Sequence, residues 1–204
     1  MKTHPALAIV EFSDIPAGIF ATDALLKKAP IAFVKCGTIT RGRYLALFGG
    51  STASVEEAMA EALAQGGDAV LDRLLLADVH PRVYDAILGT PRAGGNGSLA
   101  IIETDTVASN VRAAEAALKA TSVDLLEIRL ADSGLSGKGV SLYLGPLHEI
   151  EEAVAVAARA LDAHGLAARS RIIPAPHDSL LAQLGRSTWF ESQHVLELEG
   201  EDAG

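Results

Sequence analysis

The chain has 204 residues, and its formal net charge of −9 makes it a poor candidate for binding the phosphate backbone of nucleic acid. Hydrophobic residues make up 49% of it, which excludes a disordered composition, and the single cysteine excludes an internal disulfide. No apolar run is long enough to span a membrane and no signal peptide precedes the first predicted strand, so we expect a cytosolic, soluble protein.

Apolar periodicity in the first half of the chain predicts four strands and three helices. Short apolar runs indicate strands, and spacings such as Val55, Met59 and Leu63 indicate helices. Gly49 and Gly50 are predicted to open the second helix. In chain order, the elements are a strand at 6–12, a helix at 15–29, strands at 31–39 and 43–48, a helix at 52–65, a strand at 70–76 and a short helix at 81–88. This βαββαβ order predicts a ferredoxin-like α/β (α+β) fold.

The second half of the chain repeats the first. Residues 99–103 match residues 7–11 at an offset of 92, and the offset grows to 95 after the second strand of each copy. The second copy is therefore expected to carry three extra residues between the two strands that follow its first helix. An internal duplication of this kind predicts two domains of the same fold in one chain.

Composition divides the chain into four segments. The stretch between the copies is rich in glycine and proline, which is typical of a linker. The predicted segments are a first domain at 1–90, a linker at 91–97, a second domain at 98–185 and a C-terminal tail at 186–204. The tail is expected either to fray or to form a strand at 193–198 that docks on a neighbour.

The sequence contains none of the common catalytic motifs, so we expect no enzymatic activity. The glycine-rich stretch 134–139 includes a lysine but lies between two predicted strands, and it therefore lacks the helix N-terminus that would hold a phosphate. Ser133 and Ser136 lack the sharp strand-to-helix turn of a catalytic serine.

Two pairs of polar residues are equivalent under the repeat. Glu11 and Glu103 end the first strand of each copy, and His80 and His177 each precede a short helix. Repetition at matching positions favours a scaffold role, such as accepting backbone hydrogen bonds or supporting an interface, over acid–base or metal chemistry. Cys36 is expected to be a small buried hydrophobe, with a metal or cluster shared by three copies as the less favoured alternative.

Four segments together resemble bacterial microcompartment shell proteins. They are 7–11 (LAIVE), 22–29 (TDALLKKA), 47–50 (LFGG) and 173–177 (IPAPH). Two unpermuted copies in one chain resemble the tandem-domain shell proteins, and the closest likeness is to the trimeric type of propanediol utilisation. The resemblance implies a homotrimer whose six domains form a pseudohexameric tile. It also implies other shell proteins as lateral partners, small metabolites passing through a central pore, and a location in the shell.

The resemblance carries the residues of the tile edge onto this chain. The implied edge contacts are Lys27, Lys119, His80 and His177. The edge arginine of the family is missing, because Asp78 and Ala175 stand at its two positions. Edge contacts are therefore expected to differ from those of the family.

The family's pore is lined by the turn between the second and third strands. The implied pore-lining residues are Thr40, Arg41, Gly42, Leu135, Ser136 and Gly137. The propanediol-type relative has a cysteine where this chain has Thr40, and three copies of that cysteine hold an iron–sulfur cluster. Because threonine is a poor iron ligand, no cofactor is expected. Arg41 is expected to ring the pore, or alternatively to fold back onto Asp132 or another carboxylate.

Three functional classes follow from these observations. The favoured one is a structural shell tile with a central pore. The alternatives are a redox shell protein that holds an iron–sulfur cluster on the threefold axis and a trimeric regulator that binds a small molecule, since fold alone does not fix function.

Overall fold

The computed structural model describes residues 4–90, 95–184 and 187–196. In the first half, the strands are β1 (Ala6–Phe12), β2 (Phe33–Ile39), β3 (Arg43–Gly50) and β4 (Val70–Leu76), and the helices are α1 (Ile15–Lys28), α2 (Thr52–Gly66) and α3 (Pro81–Ile87). In the second half, the strands are β5 (Ser98–Thr104), β6 (Asp124–Leu130), β7 (Gly139–Gly145) and β8 (Ala168–Ile173), and the helices are α4 (Val107–Ala120), α5 (Leu147–Asp162) and α6 (Asp178–Leu184). None of these described helices has the length and apolar character needed to cross a membrane.

Each half builds one antiparallel sheet of four strands. The strand orders are β2-β3-β1-β4 and β6-β7-β5-β8, so the predicted βαββαβ pattern and its duplication are confirmed. The connection between the second and third strands is a three-residue turn in the first half, Thr40–Gly42, and the eight-residue loop 131–138 in the second. The second connection is thus five residues longer, two more than the three that the shift in repeat offset predicts, because β6 ends one residue early and β7 begins one residue late relative to β2 and β3.

Two details of the first half differ from the prediction. Gly49 and Gly50 do not open α2 but continue β3, where they pair with Leu7 and Ala6 of β1. Gly49 is needed there because a Cβ atom would lie 2.3 Å from the ring of Phe33. The helix instead begins after Ser51, whose hydroxyl accepts a hydrogen bond from the N–H of Ser54 and caps the helix.

Cys36 is exposed, and the expectation that it is buried is wrong. The reason is that β2 lies at the edge of its sheet, where none of the described elements covers its middle residues. In the tail, residues 193–196 do not form the strand considered for 193–198, and the remainder of that segment lies outside the described residues. A 3₁₀ turn at Phe190–Ser192 precedes it.

Three apolar cores organise the chain. The α1–α2 core fills the space between the first sheet and its two helices and includes Phe12, Leu25 and Phe48. The α6 core covers one face of the second sheet and consists of Leu99, Leu126, Val140, Leu142 and Leu144. The bridging core joins the two halves, because Leu74, Val79 and Val83 of the first half pack in the same cluster as Val107, Val111 and Leu118 of the second.

Candidate functional site: the paired turns and the junction between the halves

The two turns carried over as pore-lining lie against each other. The Thr40 hydroxyl donates to the carbonyl oxygen of Ala131 at 2.7 Å and accepts from the N–H of Gly137 at 2.8 Å. The backbone N–H of Thr40 donates to the same Ala131 oxygen at 3.1 Å. Thr40 therefore fastens the short turn of the first half to the long loop of the second.

Left-handed backbone conformations make both turns tight. Arg41 has φ 71° and Gly42 has φ 68° in the first turn, and Ser136 has φ 49° and Gly137 has φ 84° in the second. Non-glycine residues rarely adopt such angles, so Arg41 and Ser136 are held there by the surrounding turn. The left-handed pair at equivalent places is a shared feature of the two repeats.

Arg41 is exposed at the tip of its turn. Within the described residues, it has neither a hydrogen bond nor an ion pair. Asp132, the carboxylate onto which Arg41 was expected to fold in the alternative arrangement, instead pairs with Arg129, whose Nε lies 3.2 Å from Asp132 Oδ2. The alternative arrangement is therefore not the one observed.

Arg43 also ties the two turns together, and the sequence analysis missed it. Its Nη1 atom donates to the carbonyl oxygens of Gly137 and Asp105, both at 3.0 Å, and lies 3.9 Å from Oε2 of Glu11. The repeat offers the signal that could have found it. Lys138 stands at the equivalent place and pairs with Glu103 at 2.8 Å, so each half has a cation beside the glutamate that ends its first strand.

Glu11 is fully buried at the junction between the halves. Its Oε1 atom accepts a hydrogen bond from the N–H of Ala108 at 2.7 Å, as its expected scaffold role requires, whereas Oε2 has no hydrogen-bond partner among the described residues. Burial raises the pKa of Glu11 to about 7, and Asp72 adds to the rise, while the Ala108 hydrogen bond and Arg43 oppose it. The charge state of Glu11 therefore changes near neutral pH.

Glu103 has a different environment despite its equivalent position. It is partly exposed and pairs with Lys138 at 2.8 Å and with Arg169 at 3.2 Å. The two glutamates therefore share a place in the repeat but not a set of partners.

His80 and His177 play the same local role. The Nδ1 atom of each accepts a hydrogen bond at 3.2 Å from the backbone N–H two residues later, at the start of α3 and α6 respectively. The N–H of His80 also donates to both carboxylate oxygens of Glu115 on α4, at 3.1 Å. No three histidine, cysteine, aspartate or glutamate side chains of the described ranges gather as metal ligands.

The two candidate edge lysines differ in their surroundings. Lys27 is 74% exposed and pairs only with Asp23, at 2.5 Å, within the described part of the chain. Lys119 donates to the carbonyl oxygen of Asp78 at 2.5 Å and pairs with Glu115 at 2.8 Å. Lys119 thus binds the first half of its own chain, whereas Lys27 reaches into solvent.

A cavity of about 890 Å³ separates β2 from β6 beside the paired turns. Its lining includes Thr38 and Ile39 of β2, Ile128 of β6, and Leu45 and Leu47 of β3. About half of the lining is aliphatic residues and glycine, and the polar half includes Glu127, which accepts from the Ser187 hydroxyl, and Arg129, which pairs with Asp132.

Sequence comparison matches the BMC domain family twice, over residues 6–82 and 98–176. The chain therefore belongs to the BMC domain family, with two copies in tandem, and it is a microcompartment shell protein. It is 33% identical over 179 residues to the bacterial microcompartment shell protein PduT of Citrobacter freundii, covering 88% of this chain and 97% of that protein.

Solved structures give the same result for the fold. A microcompartment protein from Desulfitobacterium hafniense DCB aligns with a TM-score of 0.75 and 32% identity, covering 87% of this chain and 98% of that one. The double-ringed trimeric shell protein MSM0271 from the RMM microcompartment aligns with a TM-score of 0.58 and 20% identity, covering 79% of this chain and 85% of that one. The latter likeness supports the shared fold alone.

Proposed function

We propose that this shell protein is a homotrimeric tile whose six domains surround a central opening for small metabolites. The observation that carries the proposal is the convergence of the turns 40–42 and 131–138, which Thr40 and Arg43 fasten together. A ring that repeats this contact three times would bring six turns around one axis. The tandem repeat supports this arrangement, because closed rings are built from repeated head-to-tail contacts.

Arg41 would supply the chemistry of the opening. Its side chain is exposed and unpaired within the described residues, so three copies would place three cations near the axis. The chain as a whole carries a net charge of −9, so this ring would stand out locally. Screening over about 8 Å at physiological salt would let the three cations coexist while they concentrate anionic metabolites at the opening.

Thr40 supports an opening without a cofactor. A hydroxyl is a poor iron ligand, and both hydrogen-bonding roles of this one are already used in joining the turns. The comparisons lend no support to the cluster-holding alternative or to the small-molecule regulator.

The test measures passage of two solutes through reconstituted tiles. We expect Arg41→Glu to reduce the permeation of a carboxylate or phosphate ester relative to a neutral diol, with assembly unchanged. Arg159→Glu is the matched control, because it makes the same charge change at an exposed arginine that belongs to neither turn. Arg159 lies on α5 and pairs with Glu152. Unchanged selectivity in Arg41→Glu would overturn the anion-selective opening, and a stable monomer at every concentration would overturn the tile.

A further inference from the structure

The two sides of the junction between the halves each have an equivalent under the repeat that is exposed in the single chain. Inside the chain, α4 packs against β4 and α3, and Val111 and Leu118 are buried in the bridging core. The equivalent residues of α1 are Ile19 and Leu26, which are 54% and 45% exposed. Helix α1 therefore presents the apolar face that α4 buries, with nothing in the described chain to cover it.

The surface that receives α4 also has an open counterpart. Asp72 of β4 lies opposite Glu11 in the sheet register, and Arg169 of β8 lies opposite Glu103 in the same way. Leu180 of α6, which is exposed, corresponds to the buried Val83 of α3, since each lies three residues after its capping histidine. Within residues 4–90, 95–184 and 187–196, the chain thus leaves two surfaces open, α1 on one side and β8 with α6 on the other, with the tail lying beside α6, where Gln183 donates to the carbonyl oxygen of His194 at 2.7 Å.

The charges on the two open surfaces are complementary. In the closed junction, the carboxylate of Asp72 accepts hydrogen bonds from the hydroxyls of Thr106, the N-cap of α4, and Ser109, the latter at 2.7 Å. At the open surfaces, the equivalent of Asp72 is Arg169 and the equivalent of Thr106 is Asp14, the N-cap of α1. At the open surfaces, the cation Arg169 stands in place of the acceptor Asp72, and the anion Asp14 stands in place of the neutral cap Thr106. The two open surfaces therefore carry opposite charges at positions that meet in the closed junction.

A second pair of positions changes in the same concerted way. The N–H of Ala108 donates to Glu11 in the closed junction, but the equivalent residue of α1 is Pro16, which has no N–H. The equivalent glutamate, Glu103, does not need that donor because Lys138 and Arg169 pair with it. The N–H donor that is missing at Pro16 on one open surface is therefore not required by Glu103 on the other.

We infer that the open surfaces join two copies of this chain through an ion pair between Arg169 of one copy and Asp14 of the next, with the apolar face of α1 seated on β8 and α6. The inference rests on the proposed trimer and names the contact that closes it. Asp14 has an oxygen for this pair, because the hydrogen bonds among the described residues use only its Oδ1, which accepts from the N–H of Ala17 at 2.8 Å. Arg169 already lies 3.2 Å from Glu103 and 3.4 Å from Asp105, and its exposed guanidinium has room for a further carboxylate.

This contact makes the two kinds of junction respond differently to salt. The contact inside the chain relies on a carboxylate accepting from hydroxyls, whereas the contact between chains relies on opposite charges. Ionic strength screens opposite charges at a partly exposed interface. The assembled form is therefore expected to dissociate at high salt while each chain remains folded.

The experiment measures the mass of the purified chain in solution by sedimentation, across protein concentration and at about 0.05 M and about 0.5 M salt. Arg169→Asp should raise the concentration at which the assembly half-dissociates by about tenfold or more at low salt. Asp14→Asn keeps the capping oxygen but removes the charge, and it should shift the same concentration in the same direction. Arg169→Asp combined with Asp14→Asn, which keeps the cap, should shift this concentration by less than the two separate shifts combined, because removing one partner already loses the pair.

The controls separate this contact from folding and from the proposed function. Arg159→Asp makes the same charge change on α5 and should assemble as the wild type does, and thermal unfolding checks that each variant is folded. Wild-type assembly by both single variants, or fully additive effects in the double variant, would overturn the ion pair while leaving the tile intact. A wild-type chain that never assembles would overturn the tile itself.

Discussion

Helices α1 and α4 occupy equivalent places in the repeat but have opposite surroundings. Each begins one residue after a polar N-cap and carries apolar residues at the same spacing, yet one face of α4 is buried in the bridging core and the same face of α1 is exposed. Whether this apolar face is buried thus depends on which element packs against it and not on the spacing of its apolar residues. The exposed apolar face of α1 is therefore the surface that supports the proposed contact with another copy.

The largest expected effect on stability comes from placing a charge on the apolar face that α4 buries and α1 exposes. Val111→Asp would bury a charge in the bridging core and should lower the free energy of unfolding by about 3–5 kcal/mol, whereas Ile19→Asp, its counterpart on α1, should leave a dilute single chain nearly as stable as the wild type. Urea denaturation at low protein concentration measures both. Equal losses in the two variants would show that α1 and α4 are not in different surroundings.

The next effect concerns the cations beside the two glutamates. Arg43→Ala should lower the free energy of unfolding by about 2–3 kcal/mol, because it removes two backbone contacts and leaves the buried Glu11 without its nearest cation. Lys138→Ala removes a partly exposed pair and should cost about 1 kcal/mol or less. Comparing denaturation midpoints tests this, and a larger loss in Lys138→Ala would contradict it.

Glu11 should make the junction sensitive to pH. Its pKa is raised from an ordinary 4.5 to about 7 in the folded chain, so the folded state holds a proton that the unfolded state releases. The stability that this proton contributes is present at low pH and is lost as the pH rises through about 7. The nearby charged groups are Asp72, which adds to the rise, and Arg43, which limits it.

Replacing Glu11 removes this loss. Between about pH 5 and about pH 8, the wild type should lose about 2 kcal/mol more stability than Glu11→Gln does, since Gln has no proton to release. Urea denaturation of both proteins at the two pH values gives the difference directly. Parallel stability curves for the two proteins would show that Glu11 is already ionised in the folded state.

The sequence predicts most of the fold because the repeat doubles every local signal. A strand or helix that is ambiguous in one copy is supported by its equivalent in the other, and the errors fall where tertiary contacts override local pattern. Gly49 and Gly50 resemble a helix opening, but they are kept in β3 by pairing with β1 and by the ring of Phe33. Cys36 lies in a predicted strand, where a lone cysteine is usually buried, but that strand is at the edge of its sheet and leaves Cys36 exposed.

The candidate site is less predictable because its contacts cross between the repeats. Nothing local to Thr40 shows that its hydroxyl meets Ala131 and Gly137, which are more than ninety residues away. Equivalence within the repeat predicts shared roles for His80 and His177, which hold, but it predicts the same for Glu11 and Glu103, which differ because only Glu11 faces another half inside the chain. A duplicated sequence predicts the fold of each copy better than the partners of each copy.

The smallest expected effect on stability falls on the two lysines carried over as edge contacts. Lys119→Asp should destabilise the chain by about 1 kcal/mol, because it loses the bond to the Asp78 carbonyl oxygen, which holds α4 to the first half, and the pair with Glu115 within α4. Lys27→Asp should change stability by no more than a few tenths of a kcal/mol, because the exposed pair with Asp23 contributes little. If Lys27 reaches a neighbouring tile, its replacement should nevertheless impair the growth of sheets seen by electron microscopy, measured at a protein concentration where the mass in solution shows that the single assembly still forms. Lys28→Asp, one residue on and beside Glu57, is the matched control, and sheets that form as readily with Asp at position 27 as in the wild type would remove Lys27 from the edge.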